Sequence, residues 1–278
     1  MKFHELHINA ADGTLLNVEY VVPDSFHSLA ILVHGLAEHS ARYRERALFL
    51  AERGFAVFIP NHRGHGKSGG RRAHVLSFQD YLSDLMVVSK NARDITQKGK
   101  FLLFGHSMGG LISANFAGIK PDLLSGLVLS SPFFGFAMKV PAFKAIGGKL
   151  ISGLWPSLSM PTGIDPNHVS HDPVAVAEYA NDPMVSKIVS ARWFTETVKA
   201  QTLVADAMNT YTGPLLVMQA GDDLLASASE SRKVFEGAAS ADKEFYNLEG
   251  FYHDIFHEAG KKAVYEIFDQ WLKAHPAI

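Results

Sequence analysis

The chain has 278 residues, is 47% hydrophobic and carries a formal charge of −2, with 26 Lys and Arg against 28 Asp and Glu. That length can bury a large core, as one domain or as one domain with an insertion, and the near balance of charge gives no electrostatic reason to expect nucleic acid or a strongly charged partner. The absence of cysteine excludes disulfides, thiolate metal sites and cysteine nucleophiles.

The N-terminus, Met1-Lys2-Phe3-His4-Glu5-Leu6-His7, lacks a basic head followed by an apolar core, so it does not read as a signal peptide. No uninterrupted apolar run approaches the roughly 20 residues of a membrane span. The expectation is a soluble, cytoplasmic protein. Alternating residues from Phe3 to Ala10 and from Leu15 to Val22 flank Ala11-Asp12-Gly13 and predict a hairpin. Compact apolar strands then alternate with amphipathic helices. Strands are predicted at Leu29 to Val33, Phe55 to Ile59, Phe101 to Phe104 and Leu127 to Ser130, and helices at Ala41 to Arg53, Phe78 to Thr96 and Leu111 to Ile119. Apolar strands separated by helices indicate a mostly parallel sheet covered on both faces, with the hairpin as an antiparallel edge. Gly110, Ala114, Ala117 and Gly118 would let the third of these helices pack close to the sheet.

The alternation stops at Ser131-Pro132 and resumes at Gly213-Pro214. The intervening roughly eighty residues are too many for a simple connection. We read an α/β core over 1–131 and 213–278, with an inserted lid over 132–212. The first half of the insert is apolar, from Phe133, Phe134 and Phe136 through Met138, Val140, Phe143, Ile146 and Leu150 to Leu154, Trp155 and Met160, with sparse charge at Lys139, Lys144 and Lys149. It suggests an acyl pocket and transient contact with a membrane surface. The second half, Asn167 to Met208, reads as helical.

Gly105-His106-Ser107-Met108-Gly109 lies between an apolar strand and a helix. That is the context in which G-x-S-x-G forms a nucleophile elbow, with glycines where side chains would collide. Such a serine needs a base and an orienting acid later in the chain. Gly221-Asp222-Asp223 follows the strand-like Pro214 to Ala220, and Glu249-Gly250-Phe251-Tyr252-His253 follows Lys243 to Leu248. His253 is the expected base. Asp222 and Asp223 both remain candidates for the acid, with Glu249 a remoter one. His106 reads as structural, as do His62 and His65 in their glycine-rich turn. His257, four residues beyond His253, raises a metal alternative but lacks the glutamate of H-E-x-x-H. The oxyanion donors should be the backbone N–H of Met108, after the nucleophile, and of Leu36, in the His34-Gly35-Leu36 turn after an earlier strand.

With these pieces placed, the sequence resembles the monoacylglycerol lipase and lysophospholipase group of α/β-hydrolases, which also contains serine-aminopeptidase-like members. The resemblance rests on HGLAEHSARY (34–43), HRGHGKSGGRRAHVLSFQDYLSDL (62–85), GHSMGG (105–110), DPVAVAEYANDPMVSKIVSARWFTE (172–196), QAGDDLLAS (219–227) and EGFYHDIFHE (249–258). It implies the α/β-hydrolase fold with a lid, a Ser107, Asp223 and His253 triad, and oxyanion donors at Leu36 and Met108, without metal or cofactor. Asn61 stands where the family usually has Asp, and His171 where it commonly has Arg. The expected activity is release of fatty acid from monoacylglycerol through an acyl-enzyme. The alternatives are lysophospholipid or short esters as substrate, a peptidase, and a non-catalytic protein binding a small hydrophobic ligand.

Overall fold

The computed structural model describes residues 1–137 and 151–278; Met138, Val140, Phe143, Ile146 and Leu150 of the expected acyl-pocket segment, and its three lysines, lie outside the described residues. The main sheet has eight strands in the order β1-β2-β4-β3-β5-β6-β9-β10. These are β1 (His4–Asn9), β2 (Leu15–Val21), β3 (Ser28–Val33), β4 (Phe55–Pro60), β5 (Phe101–His106), β6 (Leu124–Ser130), β9 (Leu215–Ala220) and β10 (Lys243–Leu248). β1 and β2 form the expected hairpin and join β4 antiparallel, whereas every other pairing is parallel. The protein has the α/β-hydrolase fold.

Both faces of the sheet are covered, and the strands alternate between them. Phe101 and Leu103 of β5 belong to one core, with Leu111 and Phe116 of α3 (Met108–Ile119) and Tyr81 and Val88 of α2 (Phe78–Thr96). Leu102 and Phe104 belong to the other, with Leu50 of α1 (Arg44–Ala51) and Phe268 and Trp271 of α7 (Lys261–Ala274). Period-two side chains in a doubly covered sheet leave no polar face, which is why the central strands β3, β4 and β5 are largely apolar. α2 has the predicted bounds because Ser77 and Asp80 form a capping box at its start. The helix predicted from Ala41 instead begins as a 3-10 turn, Ser40–Tyr43. The Ser40 N–H is taken by the Asn61 side chain at 2.8 Å, which ties the entry to the neighbouring loop. Asn61 also donates to Asn17 Oδ1 at 2.7 Å and Ser40 Oγ at 3.0 Å, two bonds that an aspartate could not make.

Among its described residues, the segment between β6 and β9 adds no strand to the main sheet. It carries the short antiparallel pair β7 (Ser159–Pro161) and β8 (Ile188–Ser190), with α4 (Pro173–Asn181) between them and α5 (Ala191–Met208) after β8. Strands of three residues leave no periodic signal, so sequence reading found only the helices. α5 begins where Ser190 accepts from the Trp193 N–H at 3.1 Å, a cap that fixes where Trp193 points. A last helix, α6 (Ala228–Gly237), follows β9.

Two of the small residues of α3, Gly110 and Gly118, serve neighbours other than the expected sheet. A Cβ on Gly118 would come within 2.6 Å of Ala207 on α5, and one on Gly110 within 2.8 Å of Pro132. These two glycines therefore seat the insert, while Ala114 and Ala117 lie in the core shared with the sheet. Gly109 faces the sheet, where a Cβ would overlap the carbonyl oxygens of Val33 and His34. Gly109→Ala should accordingly cost about 3 kcal/mol or more. Gly99→Ala, where nothing lies within 4 Å, should leave stability within about 1 kcal/mol. Denaturant unfolding of the two variants checks the difference.

Candidate active site

β5 ends in a sharp reversal, and Ser107 sits on it with φ 54° and ψ −120° before α3 begins. A non-glycine residue held there stores about 1–3 kcal/mol. Gly105 and Gly109 make the reversal possible, since a Cβ on Gly105 would strike the Gly109 carbonyl and Ser113. Ser107 Oγ lies 2.8 Å from Nε2 of His253 on the loop after β10. Nδ1 of the same ring lies 2.8 Å from Oδ2 of Asp223 on the loop after β9.

The geometry separates the three candidate acids. Asp222 and Glu249 are exposed, whereas the Asp223 carboxylate is fully buried. Its Oδ1 accepts from the N–H groups of Leu225 and Ala226 at 2.9 and 2.8 Å, and Gln219 Nε2 donates to Oδ2 at 3.2 Å. An acid held this firmly fixes the imidazole with its proton on Nδ1 and its Nε2 lone pair toward the serine. Burial opposes charging His253, but attraction to Asp223 and their hydrogen bond outweigh it, so the ring titrates above the ordinary 6.5.

Met108 is the first residue of α3, so its N–H has no acceptor within the helix. Leu36 lies in the turn after β3 and borders the cavity beside Ser107. Among the described residues neither N–H donates to a protein acceptor. Met108 is further fixed by the Trp193 indole, which donates to its Sδ at 3.2 Å.

Ser107 opens into a cavity of about 280 Å³ whose walls differ in chemistry. One wall is aromatic: Phe133 meets Phe136 edge-on and Phe136 meets Phe194 at a tilt, with ring centroids 4.8 and 5.8 Å apart, and Trp193 and Val189 extend it. The other carries Glu38, His106, Tyr179 and Asp254. Sequence reading missed three of these, and it took His106 as purely structural. His106 does bond the backbone, at Ser130 O (3.1 Å), yet it also borders the cavity. The missed residues come from distant segments with no shared spacing; the one local signal is that Asp254 directly follows the base.

This polar wall is electrically compensated. Arg42 Nε donates to Glu38 at 3.1 Å and its Nη2 to Asp254 at 3.4 Å, while Arg46 donates to Asp254 at 2.7 Å. Two carboxylates thus face two guanidiniums, all nearly buried. Burial would raise both carboxyls. His106, Arg42 and the Tyr43 hydroxyl hold Glu38 below its usual range, and His257 and Arg46 do the same for Asp254. Glu38, His106 and Asp254 place ligand atoms within 4.8 Å of one another. Their carboxylate oxygens, however, already accept from Arg42, Tyr43, Gly35 N–H, Arg46 and His257, so this donor set does not fit a metal ion. His257 turns to Asp254 at 2.6 Å instead of converging with His253.

The insert is tied to the loops that carry the site. His39 meets Asp182 at 2.7 Å, and Asp254 N–H donates to Val169 O at 2.9 Å. Glu258 accepts from His171 Nδ1 at 2.9 Å, His171 N–H at 3.0 Å and Tyr252 N–H at 2.8 Å. His171 therefore keeps a cation-capable partner for Glu258 where the family's arginine would stand.

Residues 25–260 match the family described as serine aminopeptidase, S33. The chain belongs to this family. It is a serine hydrolase. Relatives include phospholipase YtpA of Bacillus subtilis, 30% identical over 86% of this chain and 92% of that protein. The monoacylglycerol lipase of Mycolicibacterium smegmatis is 31% identical over 89% of this chain and 88% of its own length. An abhydrolase domain-containing protein of Dictyostelium discoideum is 32% identical over 87% of this chain, which spans 26% of its length. Among solved structures, the monoacylglycerol lipase of Paleococcus ferrophilus superposes with a TM-score of 0.85 at 28% identity, covering 99% of this chain and 100% of that one.

In the reaction expected of this site, His253 takes the Ser107 proton and must be neutral to do so. With its pKa raised above 6.5, kcat/KM should fall about tenfold per pH unit below a midpoint above pH 6.5. Asp223→Asn, which strands the imidazole in the wrong tautomer, should lower kcat on the order of 10⁴-fold. A pH–rate profile of both proteins checks this.

Stability has its own acid limb. Burial depresses His34 well below 6.5, His62 to about 3, and His65 and His106 to about 4. Unfolding frees these rings to protonate, so below pH 6.5 the unfolded chain binds more protons than the native one and stability drops. His253 and His275, raised in the fold, act in the opposite sense but are fewer. The melting temperature should therefore decline continuously from about pH 6.5 toward pH 4, as thermal scans across that range would register.

Proposed function

We propose that the protein hydrolyses monoacylglycerols through an acyl-enzyme, with Ser107 as nucleophile, His253 as general base and acid, and Asp223 as its orienting carboxylate. The observation that carries this reading is the two-walled cavity at Ser107. An aromatic wall suits an acyl chain, while Glu38, His106 and Tyr179 offer hydrogen-bonding groups to a small polar alcohol. The names of the Mycolicibacterium and Paleococcus relatives point the same way.

In the reaction, His253 takes the Ser107 proton as Oγ attacks the ester carbonyl. The Leu36 and Met108 N–H groups receive the developing oxyanion. His253 then protonates the departing glycerol oxygen. Water enters, gives its proton to His253, and releases the fatty acid from Ser107 by the same steps in reverse.

Charge compensation at the polar wall bears on the rivals. Neither Arg42 nor Arg46 is left uncompensated for a phosphate headgroup, and neither Glu38 nor Asp254 is left for a free amine. This favours a neutral polyol over lysophospholipid or a peptide N-terminus as the leaving portion, although a phospholipase relative keeps lysophospholipid as the second reading. We also infer that the insert as a whole serves as the lid. Leu154 and Trp155 are 90% and 62% exposed, close in sequence to Met160 and Pro161 of the cavity rim. An exposed tryptophan beside an exposed leucine suits transient contact with a membrane surface.

Fatty-acid release from a medium-chain monoacylglycerol, the matching lysophosphatidylcholine and a short synthetic ester tests the proposal. The monoacylglycerol should be turned over best, and Ser107→Ala should lower its kcat by about 10⁴-fold or more. Preference for the lysolipid would move the assignment to the second reading, and Ser107-dependent cleavage of the short ester alone would make this a carboxylesterase. Activity surviving the substitution would remove Ser107 as the nucleophile.

A further inference from the structure

The Gly35 carbonyl and the Leu36 N–H belong to one peptide unit. In a trans peptide these two groups point in opposite directions, and no cis bond occurs among the described residues. Whatever holds the Gly35 carbonyl therefore aims the Leu36 N–H. The group that holds it is Nδ1 of His34, at 2.8 Å.

The bonding around His34 fixes its tautomer. The backbone N–H of His62, which can only donate, lies 3.0 Å from His34 Nε2. Nε2 must then be the bare nitrogen, and the single proton of the neutral ring sits on Nδ1, where it is donated to Gly35. His62 closes the arrangement through its own Nε2, 2.9 Å from the His34 carbonyl. Both rings are buried, with centroids 4.2 Å apart. Burial keeps both imidazoles neutral near pH 7, so the tautomer is stable in the working range. From the other side, the Gly35 N–H is held by Glu38 Oε2 at 2.9 Å. Ala37 completes the turn at φ 69°, a conformation a non-glycine residue keeps only where its surroundings impose it.

We propose that His34, locked by His62, is a positioning residue that aims the Leu36 N–H at the oxyanion. This rests on the reading of Ser107 as nucleophile and Leu36 as oxyanion donor. His34 touches neither substrate nor Ser107 in this role; it acts through one peptide unit. His62 supports it by dictating which nitrogen carries the proton.

Two substitutions divide the two bonds of the ring. The amide of Asn places an N–H near the position of Nδ1, so His34→Asn keeps the hold on Gly35 and loses the contact with His62. The longer Gln reaches the position of Nε2, so His34→Gln keeps the His62 contact and releases the Gly35 carbonyl. For each, kcat and KM on a monoacyl ester are measured, with affinity for an alkyl trifluoromethyl ketone and for free fatty acid. The ketone adds Ser107 and presents an oxyanion, whereas the fatty acid occupies only the pocket.

His34→Gln should lose about 10²-fold in kcat and a similar factor in ketone affinity, with KM and fatty-acid affinity within about twofold. His34→Asn should recover most of both. Equal activity of the two variants, the reverse order, or parallel loss of ketone and fatty-acid binding overturns the proposal. ¹⁵N-imidazole NMR of the wild type decides the case even if neither variant folds: a proton on His34 Nδ1 supports it, and one on Nε2 overturns it. Wild-type protein that does not bind the ketone would instead indict the serine hydrolase reading on which the proposal rests.

Discussion

One backbone conformation governs the molecule. Ser107 holds φ 54° at the end of β5, and a chain that reverses so abruptly needs empty space on both sides of the bend. Gly105 and Gly109 provide it, against α3 and the end of β3. The same reversal brings Oγ to His253 and leaves the first N–H of α3 without an acceptor in the helix. Moving Ser107 into ordinary helical geometry would lose the contact with His253 and the close approach of α3 to β3 together.

Around this bend the protein uses two styles of polar burial. The triad is a single line of hydrogen bonds ending on backbone amides at Asp223, so its negative end is satisfied without a counter-cation. The polar wall is built from full charges in pairs, Glu38 with Arg42 and Asp254 with Arg46. Breaking such a pair costs far more than the pair contributes, because the remaining charge stays buried. These groups hold a defined polar surface beside a greasy one. The character of the cavity is therefore set as much by what the arginines neutralise as by what the phenylalanines fill.

The core and the triad were legible in sequence because their signals are local. Apolar runs of strand length and the glycine-flanked Ser107 each announce themselves within a few residues. The choice between Asp222 and Asp223 needed either a resemblance or coordinates, since adjacent residues in a turn differ only in which way they face. Glu38, Tyr179 and Asp254 were illegible for another reason. Their importance comes from converging at one wall from three segments far apart in the chain, and no periodicity encodes that. His106 illustrates a subtler miss: a backbone-bonded histidine can satisfy one ring edge structurally and still present the other to a cavity. The small residues of α3 read as a packing device, but sequence does not say that the partner of Gly110 and Gly118 is the insert.

The placement of the insert has a consequence for how the protein is assembled. β6 and β9 are neighbours in the sheet, paired from Leu127 against Leu215 onward, although the whole inserted segment separates them along the chain. Ser107 belongs to the half made before that segment, and Asp223 and His253 to the half made after it. The three residues can meet only once this long loop has closed, which is among the slower events a chain undertakes. Appearance of catalytic competence during refolding is thus a clock for the latest stage of folding, and partially folded chains with a formed N-terminal half hold a complete elbow with nothing yet to activate it.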